Sequence, residues 1–427
     1  MGNYGQIVNF IRRSFFSDQE KKTVIRNAFY LLLSQGVNYL IPLVQLPILF
    51  RILSIEKIGA LNIAQSYSQY FIVLIEFGFN YTATKYVALN RDNRYKLDSI
   101  FSGILSIRFI LASIGAIVYF PLLGKISQSG EMYFFYIIYF GVVFSYVLNV
   151  SWFFQGMQDM KIFTIISTGM KLLILLCIVT LVNSDDEFTK IGIIYSIFYI
   201  TSALIGFTVA IFRFKIRFNL VKIHELFEFV KDAVVVFLGN VSAMLYTYSN
   251  IFLLGVLISE TAVGIFVSAD KLMKIGQTMF ASASIALFPY LSTKFSKSNS
   301  RQFVRKLSLF CSIPMVIFTM VLFFGADFLV EVFTGDVNIN ASTCLKVLSP
   351  VPIIVTLSHV FGVQVMLNKG YNKEYLLILV AVALINFIIS PILIRTYQYV
   401  GLSIATVIVE FIVTISMGFF LYSKKII

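Results

Sequence analysis

The chain has 427 residues, a formal net charge of +13, 58% hydrophobic residues and only 13% charged ones. Soluble domains carry about 25% charged residues, so this composition excludes an ordinary globular enzyme and points to a protein immersed in lipid. Cys177, Cys311 and Cys344, with His224 and His359, show neither disulfide nor metal-ligand spacing, and no metal is expected.

Residues 1–26 place Ile7, Ile11 and Phe15 at helical spacing beside Arg12 and Arg13. This N-terminal cytoplasmic segment reads either as a short interfacial helix within residues 1–20 or as a basic tail. Apolar runs long enough to span a bilayer then predict about twelve helices, at 27–50, 59–86, 98–121, 131–151, 161–182, 190–212, 231–257, 262–291, 304–325, 341–366, 374–394 and 399–422. Lysine and arginine alternate sharply between successive connections, 24 on the side of the N-terminus against 5 on the other. By the positive-inside bias, both termini are cytoplasmic. All eight prolines fall within or at the ends of spans, among them Pro42, Pro47, Pro314, Pro350, Pro352 and Pro391, where they permit bending. The connections are short, which excludes a folded soluble catalytic domain between spans and leaves the work to the helices.

The chain also repeats itself. Tyr81–Tyr86 reads YTATKY and Tyr290–Phe295 reads YLSTKF, while LSIEKIGALNIAQS (53–66) parallels ISETAVGIFVSADK (258–271). These matches predict an all-α polytopic membrane protein with two parallel six-helix lobes around a central cavity: an N-lobe at 27–212, a cytoplasmic linker at 213–230, a C-lobe at 231–422 and a tail at 423–427.

Polar residues form stripes on two spans. At about 100° per residue, Asn62, Gln65, Ser66, Gln69, Glu76 and Asn80 share one face of the second span. Asp270, Lys274, Gln277 and Ser284 share one face of the eighth. Under the repeat, Gln65 corresponds to Asp270 and Gln69 to Lys274. Unsatisfied polar groups in lipid cost several kcal/mol, so both stripes are expected to line the cavity. Arg108, Lys171, Lys271 and Glu410 also lie at membrane depth. Glu76–Arg108 and Asp270–Lys274 read equally as structural ion pairs, the second at i,i+4 spacing. The slight excess of deep cations favours an anionic substrate. Lys346 near a span end is expected to snorkel.

The string LIPLVQLPILFRILSIEKIGALNIAQSYSQYF (40–71) followed by FGFNYTATKYVALNRDNRYKLDSIF (77–101) resembles the Wzx-type polysaccharide flippases of the multidrug/oligosaccharidyl-lipid/polysaccharide exporter superfamily. WFFQGMQDM (152–160) and VGIFVSADKLMK (263–274) look like further segments of that family. The resemblance implies a transporter of the inner membrane, not an enzyme. It implies movement of undecaprenyl-diphosphate-linked oligosaccharide, an O-antigen or capsule repeat unit, to the outer leaflet by alternating access, beside a polysaccharide polymerase and a chain-length regulator. A multidrug or cation antiporter of the same superfamily is the competing reading. No cofactor is expected; coupling to a proton gradient through Glu76, Asp270 or Glu410, or to sodium, stays open.

Overall fold

The computed structural model describes residues 18–126, 130–295 and 300–426. Most of the interfacial segment expected within residues 1–20 lies outside them, as do the side chains of Ser284 and of the Tyr290–Phe295 repeat. The described residues are mostly helical and contain no strand. In chain order they form α1 (Asp18–Ile52), α2 (Ile55–Glu76), α3 (Phe79–Leu89), α4 (Arg94–Ile126), α5 (Gly130–Ser145), α6 (Ser151–Gly156), α7 (Met160–Leu181) and α8 (Phe188–Phe214). These are followed by α9 (Ile223–Leu257), α10 (Glu260–Phe295), α11 (Ser300–Phe324), α12 (Ala326–Thr334), α13 (Ile339–Leu348), α14 (Val351–His359), a π-helical stretch (Val360–Leu367) and α15 (Asn372–Ser423).

Among the described residues, six helical stretches are long and apolar enough to cross a membrane, and shorter apolar helices occur at Gly36–Ile52, Gly130–Ser145 and Tyr248–Leu257. Helix is the natural state for such runs, because it satisfies backbone N–H and C=O groups within the segment where no water can. The 52 residues of α15 are two helices, divided at Gln398 (φ 53°, ψ −130°), between the spans predicted at 374–394 and 399–422. A Cβ on Gly401 would sit 1.9 Å from the Leu393 carbonyl oxygen, so the chain doubles back on itself there.

Two of the first six predicted spans are interrupted. The second stops at Glu76, passes through Phe77 (φ 42°) and Gly78 (φ 78°), and resumes as α3. Gly78 suits the left-handed backbone, and a Cβ there would also lie 2.9 Å from Val236. The fourth leaves helix after Ser145 and re-enters it at Ser151.

The chain divides into two compact units: Met1–Gln45, Tyr70–Asn183 and Thr189–Asn240 in the first, Leu46–Gln69, Ser184–Phe188 and Val241–Ile427 in the second. The first is centred on buried aromatic residues, with Phe79, Phe101, Trp152, Phe153 and Phe154 packed against Ile104 and Val150. A core of the second joins Val304, Val365, Val382, Val409 and Met417. Lipid is as apolar as these side chains, so close packing and dispersion hold such cores together more than expulsion of water. At the edge of the second unit, Lys346 donates to Asp327 at 2.9 and 3.2 Å. Hydrogen bonds from Lys346 and Ser342 hold the Asp327 carboxyl below the ordinary carboxylate range.

Within the second unit the repeated sequences meet. A Cβ on Gly59 would lie 1.8 Å from the Glu260 carbonyl oxygen, and one on Gly264 would lie 2.0 Å from that of Ile55. Gly59 and Gly264 occupy repeat-equivalent positions, and so do Ile55 and Glu260. The contact is therefore reciprocal, as an approximate twofold between duplicated helices requires. Beside it, Ser54 N–H donates to Asp185 at 2.7 Å, and Lys57 reaches the same carboxylate at 3.2 Å.

Gly264→Ala is expected to force α2 and α10 apart at a cost of about 1–3 kcal/mol for overpacking. Gly169→Ala, with nothing within 4 Å of its Cβ, is expected to be neutral or stabilising. Thermal unfolding in detergent checks both; equal melting temperatures for the two variants would contradict the close crossing.

Candidate functional site

The first unit encloses a cavity of about 410 Å³. α1 contributes Ser34 and Asn38, the α2–α3 junction Glu76 and Asn80, and α7 Ser167 and Lys171. Tyr199 and Ser202 come from α8, while Ser145, Tyr146, Asn149 and Ser151 come from the interrupted fourth span. Amides, hydroxyls and one group of each charge thus converge inside an otherwise apolar unit. Lys171 Nζ donates to the Asn38 side chain, a neutral partner. Glu76 accepts from Asn80 Nδ2 at 2.7 Å.

Arg108 lies in the wall of this cavity, not on its lining. Its side chain is among the largest fully buried ones, at 1% exposure. One guanidinium nitrogen donates to the Asn149 carbonyl at 2.6 Å and to the Tyr146 carbonyl at 3.3 Å, and the other donates to Asn80 Oδ1 at 3.1 Å. Asn80 therefore stands between Glu76 and Arg108, bonded to both, and the pair is bridged by an amide. The guanidinium also lies 5.9 Å from the Trp152 ring centroid, within cation–π range. Leaving the helix at residues 146–150 would strand carbonyl groups in an apolar medium. Arg108 takes two of them, and its charge is offset by Glu76 beyond the amide.

The second unit encloses a smaller cavity, about 200 Å³, between α9, α10, α14 and the second half of α15. It brings together Asp270, Lys274, Gln277 and Glu410 from the predicted set with Asn250 and Thr406. Lys274 and Asp270 form an i,i+4 ion pair at 2.8 Å, in which Lys274 keeps 40% of its side chain exposed and Asp270 only 4%. The cation is thus the reachable member. Asn250 continues into a network, exchanging hydrogen bonds with Asn386, which in turn accepts from Ser390 at 2.7 Å.

The remaining predicted residues are placed differently. Asn62 is buried, its amide donating to the Ile58 carbonyl one turn back at 2.9 Å. Gln65, Gln69 and Lys271 are half-buried and lie outside the lining of both cavities. Tyr146, Asn149, Tyr199, Asn250 and Thr406 were not among the predicted site residues. Asn149 and Asn250, single amides in apolar runs, carried a legible signal; the tyrosines, among 23 in the chain, did not. Both cavities can hold hydroxyl, amide and anionic groups by hydrogen bonds and charge.

Arg108→Lys keeps the charge but cannot span both carbonyls and the Asn80 amide. It is expected to destabilise the protein by about 3 kcal/mol, the scale for breaking a buried, hydrogen-bonded charge, whereas Lys171→Gln is expected to leave stability near wild type. Thermal unfolding separates them, and an unchanged Arg108→Lys would contradict the bridging role.

The family described as polysaccharide biosynthesis protein matches residues 24–295. A curated protein of Escherichia coli (strain K12), "Putative O-antigen transporter", is 28% identical over 412 residues, covering 95% of this chain and 99% of its own. A protein of Shigella dysenteriae with the same name is 25% identical over 407 residues, covering 92% and 98%. Among solved structures, a multidrug resistance MATE family transporter of the MOP superfamily, in an inward-facing conformation, superposes with a TM-score of 0.68 at 14% identity over 95% of this chain and 98% of its own. The lipid II flippase MurJ, inward closed, superposes at 0.66 and 15% identity over 94% and 87%. These likenesses show a shared fold, and the family match, which spans most of the chain, shows that the protein belongs to the polysaccharide biosynthesis protein family.

Proposed function

We propose that the protein is a flippase that moves a polyprenyl-diphosphate-linked oligosaccharide, an O-antigen or capsule repeat unit, from the cytoplasmic to the outer leaflet of the inner membrane by alternating access. The observation that carries this reading is a polar, cation-bearing cavity built inside apolar helices, in a chain that aligns over nearly its whole length with O-antigen transporters. Sugars suit the amides, hydroxyls and Tyr199 of the first unit, and a diphosphate suits Lys171 and the exposed end of Lys274. No covalent bond changes in such a cycle, so these residues bind and release without catalysing. Both termini face the cytoplasm by the distribution of lysine and arginine. Energy enters through a carboxylate that gains and loses a proton or a sodium ion, for which Glu410 and Asp270 in the second cavity and Glu76 in the first are the candidates. Those carboxylates also favour the competing reading, a cation antiporter of the same fold.

Deletion of the gene in its host is expected to abolish surface glycan and to leave lipid-linked units on the cytoplasmic side. Wild type is expected to restore export, whereas Lys171→Ala and Lys274→Ala, at normal expression, are expected to restore less than a tenth of it. Unchanged surface glycan with raised sensitivity to cationic compounds would replace the flippase by the antiporter.

A further inference from the structure

A second hollow of the first unit, about 380 Å³, opens on the outer face of α4. Leu105, Phe109 and Ile110 form one side, Val147 and Leu148 the other. The hydroxyl in its lining, on Ser106, donates to the Ser102 carbonyl one turn back at 2.8 Å, so the surface presented is apolar. Phe109 and Ile110 are 56% and 52% exposed on a helix long and apolar enough to cross the membrane, so the hollow faces lipid.

Its origin is the same break that shapes the polar cavity. A helix continued past Ser145 would fill this space with its own turn. The unwound segment instead sends Tyr146 and Asn149 into the cavity and Val147 and Leu148 into the groove. Arg108, between Leu105 and Phe109 in sequence, holds two carbonyls, those of Tyr146 and Asn149, of the segment separating the two. The groove and the cavity are therefore the two faces of one five-residue wall, one apolar and one polar. The groove also lies deep: Phe109 is ~16 Å along α4 from the charged end at Asp98, at 1.5 Å per residue. An ordinary phospholipid keeps its head at the membrane surface and brings no polar group to that depth.

We propose, resting on the flippase reading, that this groove takes the isoprenoid units nearest the head of the lipid-linked glycan, whose sugars occupy the cavity across the wall. The groove has room for only the first units, and the rest of the tail stays in lipid. A tail held there keeps the linkage close to the cavity while the head is inside the protein.

The test uses the full chain in proteoliposomes, with a photoreactive p-benzoylphenylalanine at Leu148, at Phe109, or at the lipid-exposed control Leu173 on α7. The probe is radiolabelled undecaprenyl-diphosphate N-acetylglucosamine. Cross-linking at Leu148 and Phe109 is expected to exceed that at Leu173 by at least fivefold, to fall with excess unlabelled probe, and to resist excess phosphatidylglycerol. Equal labelling at Leu173, or displacement by phosphatidylglycerol, would make the groove a crevice filled by bulk lipid and overturn the proposal. Leu148→Trp, which fills the groove, is expected to slow flipping at least fivefold, and Leu173→Trp to leave it unchanged. Flipping by wild type without cross-links at Leu148 and Phe109 defeats the groove alone; absence of flipping by wild type defeats the flippase reading and the groove with it.

Discussion

Within a bilayer, a backbone carbonyl that leaves a helix has no water to turn to, and this constraint governs the first unit. The fourth span unwinds at residues 146–150, and the second kinks at Phe77–Gly78. Arg108 makes the first of these tolerable by donating to two carbonyls of the unwound segment, and Asn80 ties it to the second. Charge balance completes the arrangement, because Glu76 holds the other end of the same amide. A guanidinium suits this position because it presents several donors in a fixed plane and stays charged when buried. Without it, an unwound segment at this depth would leave polar groups unmet at several kcal/mol each.

The proposed function follows from what the interruption makes room for. An uninterrupted fourth span would present a continuous helical surface, with no gap into which Tyr146 and Asn149 could turn. The second unit reaches a polar interior differently, through an ion pair on one helix face whose anion is buried and whose cation remains accessible. Each cavity thus has a reachable ammonium, one held by a neutral amide and the other by a carboxylate. That asymmetry suits a ligand with a charged linkage and a neutral head better than a simple cation. It also separates these reachable cations from Arg108, whose two terminal nitrogens donate to the wall.

Much of the helical architecture is legible in the sequence, because apolar runs act over many residues and do not depend on tertiary detail. The i,i+4 spacing of Asp270 and Lys274 already carries their ion pair. The glutamate in the second span poses the right question, and Asn80, four residues on, holds its answer. What periodicity cannot reveal is where a helix stops inside the membrane. The run from Met132 to Val150 is apolar but for its tyrosines, Ser145 and Asn149, so its hydropathy does not mark where the helical part gives way to the unwound part. Arg108 then looks like a cavity cation when it is a clasp for carbonyls. Gln65 and Gln69 align with the Glu76 stripe, yet they precede the Phe77–Gly78 kink and lie outside the cavity lining. The repeat-equivalent glycines show the opposite case: sequence alone pairs Gly59 with Gly264, and the structure places them at one crossing.

The account rests on the claim that the protein itself carries a lipid-linked glycan across a bilayer. The most direct measurement is made on purified protein in liposomes holding a lipid-linked glycan in both leaflets, with a sugar-cleaving enzyme added outside to read the fraction that crosses. The account predicts that cleavage proceeds from the outer half to nearly all of the glycan in the presence of wild type, and stops at the outer half in protein-free liposomes. Cleavage that halts at the same level with wild type, in liposomes where the protein instead expels a cationic dye, would contradict it.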